Sequence, residues 1–541
     1  MSEPCELFDP AAARTLDVQV AAVHGDDGWQ LMQQAGAAAW AFARRRWPQA
    51  RHLLVLCGPG NNGGDALVLA GLALAQGCQV TVLHPTDHPP AAPLARRAAG
   101  LFVGAGGQMY RHDGELPPAD LVIDGLLGLG LSRLVDGPLA DLVAQVNGSG
   151  LPVLSLDVPS GVDARTGAVQ GTAIQATCTL MFLLPHVGLY TGPALDVVGE
   201  RELAPLALPA GVERPEGGVA HLAGLQDLCA LLPPRRANAH KGQSGRAVMV
   251  GGNHGMGGAI ALCGEAALRS GAGLVSVATR PAHVPALLAR TPELMGCALE
   301  TPDDLLPVLP GAGAVAIGPG LGKDAWARDL VQAVLVHEGP RVLDADALNL
   351  LAGSPRPLPG AILTPHPGEA ARLLGIQTWQ VQAARQAALM VLVERFQCVV
   401  VLKGAGTLVG APGVRPWVIG AGNPGMAVGG MGDVLTGVIA ALPLRDEGRP
   451  HRRREGVRAQ DPGVHGRQAG VRREHSPGAL RLEDHLVRAG LHLDAHGGAD
   501  AGDPVHDVVL LPPFGADGDA GERRELPGDR EAAPSCSRRS S

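Results

Sequence analysis

Short apolar runs alternate with amphipathic stretches along the chain from about residue 50 onward. In the first half, the apolar runs predict strands at 51–57, 79–83, 121–127 and 153–158, and the spacing over 65–76 predicts a helix. Strands that alternate with helices form parallel sheets with helices on both faces. We therefore expect a three-layer α/β domain in this half.

A second series of the same kind follows a segment rich in Pro, Gly and Glu at 200–222, which predicts a linker. A helix is predicted at 257–270, and strands are predicted at 246–250, 274–278, 314–317, 341–343 and 399–402. The expected fold class is therefore α/β with two domains. Their predicted bounds are 1–215 and 222–442.

The alternating pattern ends near residue 442, and the tail 443–541 has a different composition. It is rich in Arg, His, Pro and Gly, contains one Phe, and contains no Trp or Tyr. A basic tail that binds nucleic acid is one interpretation, but Asp and Glu are interleaved throughout it. We favour a disordered segment, or the product of a reading-frame change, because the tail lacks regular apolar periodicity.

The composition of the 541-residue chain excludes several classes of protein. Apolar residues make up 46% and charged residues 18%, which is enough for sizeable cores. A net charge of −8 and an aromatic content of 3% argue against a nucleic-acid partner. The chain has no long apolar run and no signal-peptide pattern, so we expect no membrane association. The nine cysteines lack a metal-site spacing, and we expect reduced thiols in the cytoplasm.

Three polar clusters in the first half follow predicted strands: GPGNNGGD at 58–65, DGLLGLG at 124–130 and DVPSG at 157–161. The carboxyl ends of parallel strands meet at one sheet edge, where open α/β folds bind ligands. Glycines of the first cluster allow a ligand to approach the backbone, and the next helix N-terminus favours a phosphate. A plain tight turn also explains the glycines, but it does not need the adjacent Asn and Asp. Three side chains offer oxygen ligands for a hard cation: Asn62, Asp124 and Ser160.

The motifs GPGNNGGDA, DGLLGLGLSR and LDVPSGVD together resemble the YjeF N-terminal family of NAD(P)H-hydrate epimerases over about residues 5–215. The resemblance implies a Rossmann-like αβα fold that binds a hydrated nicotinamide nucleotide. It implies substrate contacts by Asn61, Asn62, Gly63, Gly64, Asp65, Gly128, Leu129, Gly130, Leu131, Ser132, Arg133, Leu134 and Asp157. It also implies K⁺ bound by Asn62, Asp124 and Ser160, and a catalytic role for Asp157 in opening the nicotinamide ring.

The regular pattern of the second half ends with GGMGDVLTG at 429–437, a glycine-rich turn that leads into a helix. Successive N–H groups of such a turn point into one anion site at the helix N-terminus. Asp433 is then close enough to accept a proton from a hydroxyl that attacks phosphorus. The alternatives are structural: a capped helix here, a structural His366 and a solvated Lys403.

The second half resembles the ADP-dependent NAD(P)H-hydrate dehydratases of the ribokinase-like superfamily over about residues 225–442. Seven motifs carry the resemblance: HKGQSGR, GGNHGMGGA, GPGLG, DADALN, LTPHPGEAARLLG, LKGAGT and NPGMAVGGMGDVLTG. It implies substrate contacts by Ala259, Gly320, His366 and Asp433, and adenine-nucleotide contacts by Lys403, Gly404, Ala405, Gly406, Thr407 and Gly432. It further implies ADP as co-substrate, Mg²⁺, and Asp433 as the catalytic base. Family members continue with further helices, so this domain is expected to be C-terminally incomplete.

Both resemblances together favour a bifunctional enzyme, an isomerase and a lyase, that repairs NAD(P)H hydrates. One domain would equilibrate the R and S hydrates, and the other would dehydrate the S form with ADP. Two alternatives stay open: a ribokinase-like small-molecule kinase with a non-catalytic YjeF-type domain, and a binding module without catalysis. We expect NADHX, NADPHX and ADP as small-molecule substrates, and a homo-oligomer.

Overall fold

The computed structural model of this chain describes residues 5–445 except 86–87, 113, 132, 225–226, 228–234 and 236. Two β-sheets, each covered by helices on both faces, dominate this part of the chain. The α/β fold class with two domains is therefore confirmed. The predicted tail lies outside the described residues from 446 onward. Within the described ranges, no helix has the length and apolar content needed to cross a membrane.

A short strand, β1 (Cys5–Leu7), opens the chain, and seven parallel strands then form the first sheet. These are β2 (His52–Cys57), β3 (Gln79–His84), β4 (Gln108–Arg111), β5 (Leu121–Gly125), β6 (Val153–Leu156), β7 (Cys178–Phe182) and β8 (Glu200–Ala204). Their order is β4-β3-β2-β5-β6-β7-β8. The helices of this half are α1 (Pro10–His24), α2 (Trp29–Arg46), α3 (Asn61–Ala75), α4 (Pro93–Gly104) and α5 (Gly137–Gly148).

Alternate residues of the first sheet point to opposite faces, as the two-residue period of a strand requires. Leu53 and Val55 pack with α2, α3 and α4, whereas Leu54 and Leu56 pack with α5 on the other face. The continuous apolar run of β2 is thus explained by burial on both sides.

The second sheet has eleven strands in the described part of the chain. After β1 they are β9 (Ala220–Ala223), β10 (Arg246–Val250), β11 (Leu274–Thr279), β12 (Met295–Ala298), β13 (Ala314–Ile317), β14 (Arg341–Leu343), β15 (Ala361–Leu363), β16 (Val399–Leu402), β17 (Leu408–Ala411) and β18 (Val414–Ile419). Their order is β1-β9-β18-β17-β16-β15-β14-β13-β10-β11-β12, so the first strand of the chain is an edge of this sheet. The strands from β10 to β16 are parallel.

Eight helices of the described residues belong to this second half: α6 (Gly257–Arg269), α7 (Val284–Arg290), α8 (Ala325–Leu335), α9 (Ala345–Leu351), α10 (Pro367–Leu374), α11 (Thr378–Ala383), α12 (Arg385–Phe396) and α13 (Met431–Ala441). The last helix, α13, packs with α6 over one face of the sheet, and its buried residues include Leu435 and Ile439. The position of α13 brings its first turn to the carboxyl edge of the sheet.

The two halves meet through a short segment that follows β7. Thr191 Oγ1 donates a hydrogen bond of 2.8 Å to the carbonyl oxygen of Gly406, and Gly192 N donates one of 2.9 Å to that of Ala405. The buried Arg385 adds a hydrogen bond of 3.0 Å from its Nε to Thr191 Oγ1. One apolar core also includes residues of both halves, among them Tyr190 and Leu402.

Two sequence predictions need correction. The helix predicted at 65–76 begins at Asn61, because the glycines inside its first turns fit close packing rather than a turn. The linker predicted at 200–222 contains the strand β8, which pairs with β7, and ends in β9. The charged residues of β8 explain this error, because an exposed edge strand lacks the apolar run of a buried one.

Candidate active sites in the two domains

The first candidate site is a cavity of about 540 Å³ at the carboxyl edge of the first sheet. The strand order reverses between β2 and β5, which is where open α/β sheets form ligand crevices. Helices α1 and α2 and the loop after β5 contribute to its wall. Four carboxyl side chains line the cavity: Asp17, Asp27, Asp65 and Asp157.

Asp157 has an unusual backbone conformation, with a φ of 63° in the left-handed region. Its Oδ1 accepts hydrogen bonds from the buried His186 Nε2 at 3.1 Å and from Phe182 N at 3.3 Å. These contacts hold the carboxylate in place at the cavity wall. Asp adopts this conformation more readily than most residues, and strained backbone of this kind is common at active sites. The catalytic role of Asp157 stays a prediction.

The carboxyl groups of Asp17 and Asp65 are held toward their neutral form. The pKa of Asp17 is raised to about 7, first by burial and then by the negative charge of Asp157, while His186 acts in the opposite direction. Burial also raises the pKa of Asp65 well above its usual range, and the charges of Asp157 and Asp17 add to this effect. The cavity therefore contains two carboxyl groups whose pKa values are raised by different amounts, an arrangement that acid–base catalysis uses.

Asp17 was not predicted as a site residue. It lies in α1, ahead of the first glycine-rich motif, in a segment without predicted structure. One signal was present: Asp17 occurs between Ala13 and Ala21 at the four-residue spacing that defines one helix face.

Eight of the substrate contacts implied for this domain line the cavity: Asn61, Asn62, Asp65, Gly128, Leu129, Gly130, Leu131 and Asp157. Gly63 and Gly64 are instead buried within α3. A Cβ atom on Gly63 would lie 2.3 Å from the carbonyl oxygen of Gly58, so this glycine is required for packing. Arg133 and Leu134 are not among the cavity-lining residues, and Arg133 contacts His88. Ser132 lies outside the described residues.

The three predicted cation ligands form one connected group of oxygen atoms. Ser160 Oγ lies 2.6 Å from Asp124 Oδ1, and it accepts a hydrogen bond of 2.8 Å from Leu127 N. Asn62 Nδ2 donates a hydrogen bond of 2.7 Å to the carbonyl oxygen of Leu127. The remaining amide oxygen, Asn62 Oδ1, is buried and has no hydrogen-bond partner among the described residues. An oxygen of this kind beside a buried carboxylate suits a hard cation.

The second candidate site lies at the carboxyl edge of four neighbouring strands, β13 to β16. Gly320, Asp344, His366 and Lys403 each follow one of these strands. Lys403 Nζ donates a hydrogen bond of 2.8 Å to Asp344 Oδ1, and Thr436 Oγ1 of α13 donates one of 2.8 Å to Asp344 Oδ2. The loop after β16 and the helix α13 are therefore both fixed to one buried carboxylate.

The Lys403–Asp344 pair is almost fully buried, with 6% and 2% of the two side chains exposed. Burial acts to raise the pKa of Asp344, but the charge of Lys403 outweighs it and lowers that pKa. Burial likewise acts to lower the pKa of Lys403, whereas Asp344 and Glu369 raise it above its usual range. Both groups therefore remain charged at neutral pH, contrary to the structural alternative of a solvated Lys403.

Asp433 lies in the first turn of α13, after Gly430, whose φ of 93° sets the turn into the helix. Burial and the charge of Asp344 raise the pKa of Asp433 to about 6, against a lowering effect of Lys403. A Cβ atom on Gly432 would lie 3.4 Å from Lys403 Nζ, so this ammonium group lies against the helix N-terminus. The unpaired N–H groups of that terminus and a nearby ammonium group favour an anion.

The remaining predicted contacts of the second domain separate into two groups. Ala259 and Gly320 are adjacent, because a Cβ on Gly320 would lie 3.2 Å from the Cβ of Ala259. His366 caps α10, and its Nε2 lies 3.4 Å from Glu369 Oε1. Burial raises the pKa of Glu369 to about 7. Glu369 was not predicted as a site residue.

The predicted nucleotide segment 403–407 is mostly buried. A Cβ on Gly406 would lie 2.1 Å from the carbonyl oxygen of Tyr190, so this part of the segment packs against the first domain. Gly404 and Thr407 are also buried, and Ala405 is partly exposed. Lys403 and Gly432 thus lie together below α13, while Ala405 and Gly406 lie at the contact between the two halves.

Comparison with known proteins gives matches to both halves. Residues 28–188 match the model of the YjeF-related protein N-terminus, and residues 247–452 match the NAD(P)H-hydrate dehydratase model. The bifunctional NAD(P)H-hydrate repair enzyme of Coxiella burnetii is 45% identical over 81% of this chain and 89% of its own length. The Escherichia coli enzyme of the same name is 44% identical over 76% of this chain and 80% of its own.

This chain belongs to the family of bifunctional NAD(P)H-hydrate repair enzymes. The predicted family, enzyme class and function are therefore confirmed: the protein is an isomerase and a lyase that repairs hydrated NAD(P)H. Among solved structures, the ADP/ATP-dependent NAD(P)H-hydrate dehydratase of Bacillus subtilis, co-crystallised with ATP/Mg²⁺, is 34% identical. It covers 40% of this chain and 78% of that chain, with a TM-score of 0.36.

Proposed function

We propose that the cavity of the first domain interconverts the R and S hydrates of NAD(P)H. We also propose that the second site, where α13 begins at the carboxyl edge of the second sheet, dehydrates the S hydrate with ADP. The observation that carries the second assignment is the position of Asp433 at a helix N-terminus beside Lys403. A hydroxide ion is a poor leaving group and phosphate is a good one. A site built for phosphoryl transfer therefore suits this dehydration.

In the second domain, Asp433 accepts the proton of the C6 hydroxyl as its oxygen attacks the terminal phosphorus of ADP. AMP leaves with the electron pair of the broken P–O bond. The C6–O bond then breaks, phosphate departs with its electron pair, and loss of a proton from C5 forms the C5–C6 double bond. N–H groups at the start of α13 stabilise the phosphoryl charge, and the positive charge of Lys403 beside them has the same effect.

In the first domain, Asp157 acts on the C6 hydroxyl of the hydrate. The hydrogen bonds from His186 and Phe182 hold one oxygen of this carboxylate, which leaves the other available to the cavity. Opening of the ring between N1 and C6 makes C6 a planar aldehyde carbon. Closure on its opposite face gives the other epimer.

Two metal ions belong to this proposal. K⁺ fits the oxygen group of Asn62, Asp124 and Ser160, because Asn62 Oδ1 is buried without a hydrogen-bond donor in the described part of the chain. We expect it to order the loop after β5. Among the described residues, no group of three or more His, Cys, Asp or Glu side chains is arranged to bind a metal. Mg²⁺ is therefore expected to enter as the nucleotide complex, where it offsets phosphate charge.

One assay tests both assignments. The protein is mixed with both epimers of NADPH hydrate and ADP, and the return of the reduced-nicotinamide absorbance is followed. Full recovery supports both activities, whereas recovery of the S form alone leaves only the dehydratase. No recovery, together with phosphorylation of an added alcohol, would favour the kinase alternative. Replacement of K⁺ by choline is expected to slow the exchange of epimers and not the dehydration of the S form. Comparison of ADP with ATP identifies the co-substrate.

A further inference from the structure

One face of α1 forms a wall of the first-domain cavity. Ala13, Asp17 and Ala21 follow one another at four-residue intervals along this face, and all three line the cavity. The two alanines leave space on either side of Asp17. Asp17 is therefore the carboxyl group that α1 presents to the cavity, and Arg14 of the same helix also lines it.

The surroundings of Asp17 are apolar on one side and acidic on the other. Leu16 and Val20, its helix neighbours, are buried in a small core with Leu31 and Leu183. Asp157 is near enough for its charge to act on Asp17, and the same holds for the effect of Asp17 on Asp65. The difference between Asp17 and Asp157 is in their hydrogen bonds, because Asp157 accepts from His186 and from a backbone N–H group. These donors fix the orientation of the Asp157 side chain.

We propose that Asp17 is a catalytic residue of epimerisation: it donates a proton to the ring nitrogen N1 while Asp157 accepts the proton of the C6 hydroxyl. This inference rests on the epimerase activity proposed for the cavity. The C6–N1 bond breaks with its electron pair moving to N1, which takes the proton of Asp17, and C6 becomes an aldehyde. Rotation of the aldehyde and reversal of both proton transfers closes the ring as the other epimer. Each carboxyl group then returns to its starting state.

Asp17 suits the role of acid better than Asp65 does. A proton donor works best when its pKa is near the working pH, and the pKa of Asp17 is about 7. Asp65 has its pKa held well above the usual range by burial, so it gives up a proton less readily. We expect Asp65 to bind substrate as a neutral hydrogen-bond donor.

The test measures exchange between separated R and S epimers of NADPH hydrate by chromatography, without nucleotide, for the full-length protein. Asp17→Asn should lower the kcat of exchange by about 100-fold or more, as the loss of a general acid does. In the same samples, ADP-dependent dehydration of the S form should stay unchanged, which reports an intact fold. Asp141→Asn is the matched control, because it makes the same change from carboxyl to amide at an exposed position of α5.

A second pair of variants guards against misfolding of Asp17→Asn. Asp17→Glu and Asp17→Gln have the same size and differ only in the acidic group, so the Glu variant should exchange epimers much faster. Exchange by Asp17→Asn within threefold of the wild-type rate, or equal rates for the Glu and Gln variants, would overturn the role of Asp17. Loss of exchange in Asp65→Asn with normal exchange in Asp17→Asn would assign the acid to Asp65. Absence of exchange in the wild-type protein would instead refute the proposed epimerase activity.

Discussion

The two sites solve the problem of buried carboxyl groups differently. In the first cavity, Asp17 and Asp65 are neighbours of Asp157, and burial together with mutual repulsion holds them toward the neutral form. In the second site, Lys403 neutralises Asp344 and also moderates the pKa of Asp433. The first arrangement supplies an acid at neutral pH, and the second supplies a base. The position of one lysine is therefore what separates acid chemistry from base chemistry in this chain.

The largest effect is expected from Asp433→Asn. Loss of the base should reduce ADP-dependent dehydration of the S hydrate by about 10²- to 10⁴-fold, because the amide cannot accept the hydroxyl proton. Return of the reduced-nicotinamide absorbance measures this rate. Epimer exchange serves as the control and should not change, because Asp433 belongs to the second domain. Equal loss of both activities would contradict the division of labour between the domains.

Breaking the buried ion pair is expected to reduce stability strongly. Lys403→Met leaves the Asp344 charge buried without its partner, which should lower the free energy of unfolding by about 3–5 kcal/mol. Urea titration followed by circular dichroism measures this change. Lys323→Met, at an exposed lysine, is the matched control and should have little effect.

The double variant Lys403→Met, Asp344→Asn sharpens this prediction. It removes both charges, so it should recover at least half of the stability that Lys403→Met loses. A double variant that is less stable than Lys403→Met would mean that the contacts of Asp344, and not the unpaired charge, dominate the loss.

The two activities should respond to pH in opposite directions. Dehydration needs ionised Asp433, whose pKa is about 6, so its rate should fall about tenfold between pH 7 and pH 5. Exchange needs protonated Asp17. The pKa of Asp17 is about 7, and the titratable and charged groups near it are Asp65, Asp157, His186 and Arg14. The rate of exchange should therefore fall about tenfold between pH 6 and pH 8. Initial rates with the single epimers, corrected for the enzyme-free reaction, measure both profiles. Two profiles that fall on the same side of neutrality would remove the contrast between the sites.

The smallest effect is expected where the halves meet. Thr191→Val removes the hydrogen bond to Gly406 and the acceptor for Arg385, which should cost about 1–3 kcal/mol. Thermal unfolding measures the loss as a lower Tm. Thr166→Val, which removes the acceptor of a local hydrogen bond from Ala168 N, gives a comparison within the first domain. A Tm unchanged by Thr191→Val would mean that this contact does not contribute to stability.

The sequence predicted the central strands well and the chemistry at their ends only in part. The strands at 314–317, 341–343 and 399–402 were predicted with their observed bounds. The first two are short apolar runs between Gly, Pro and Asp residues, and the third is a run of Val and Leu that ends at Lys403. No element was predicted before residue 50, although α1 and α2 lie there. Their many alanines give weak contrast between the apolar and polar faces.

Other features depend on contacts that local pattern does not contain. Asp344 and Thr436 are 92 positions apart and meet only when α13 packs over the sheet edge. The burial of Gly406 likewise depends on Tyr190 and Thr191, residues of the other domain. Motif spacing predicted that Lys403 is important, but its buried partner became evident only in the folded chain.

The first strand of the chain matters for experiments that produce the two domains separately. Cys5, Glu6 and Leu7 pair with Leu222, His221 and Ala220, and Glu6 also binds Arg415 at 2.8 Å. A dehydratase half produced without these residues would expose β9 as an unpaired edge strand, and exposed edge strands promote aggregation. Fusion of the β1 segment to the separately produced dehydratase half is expected to keep that half soluble.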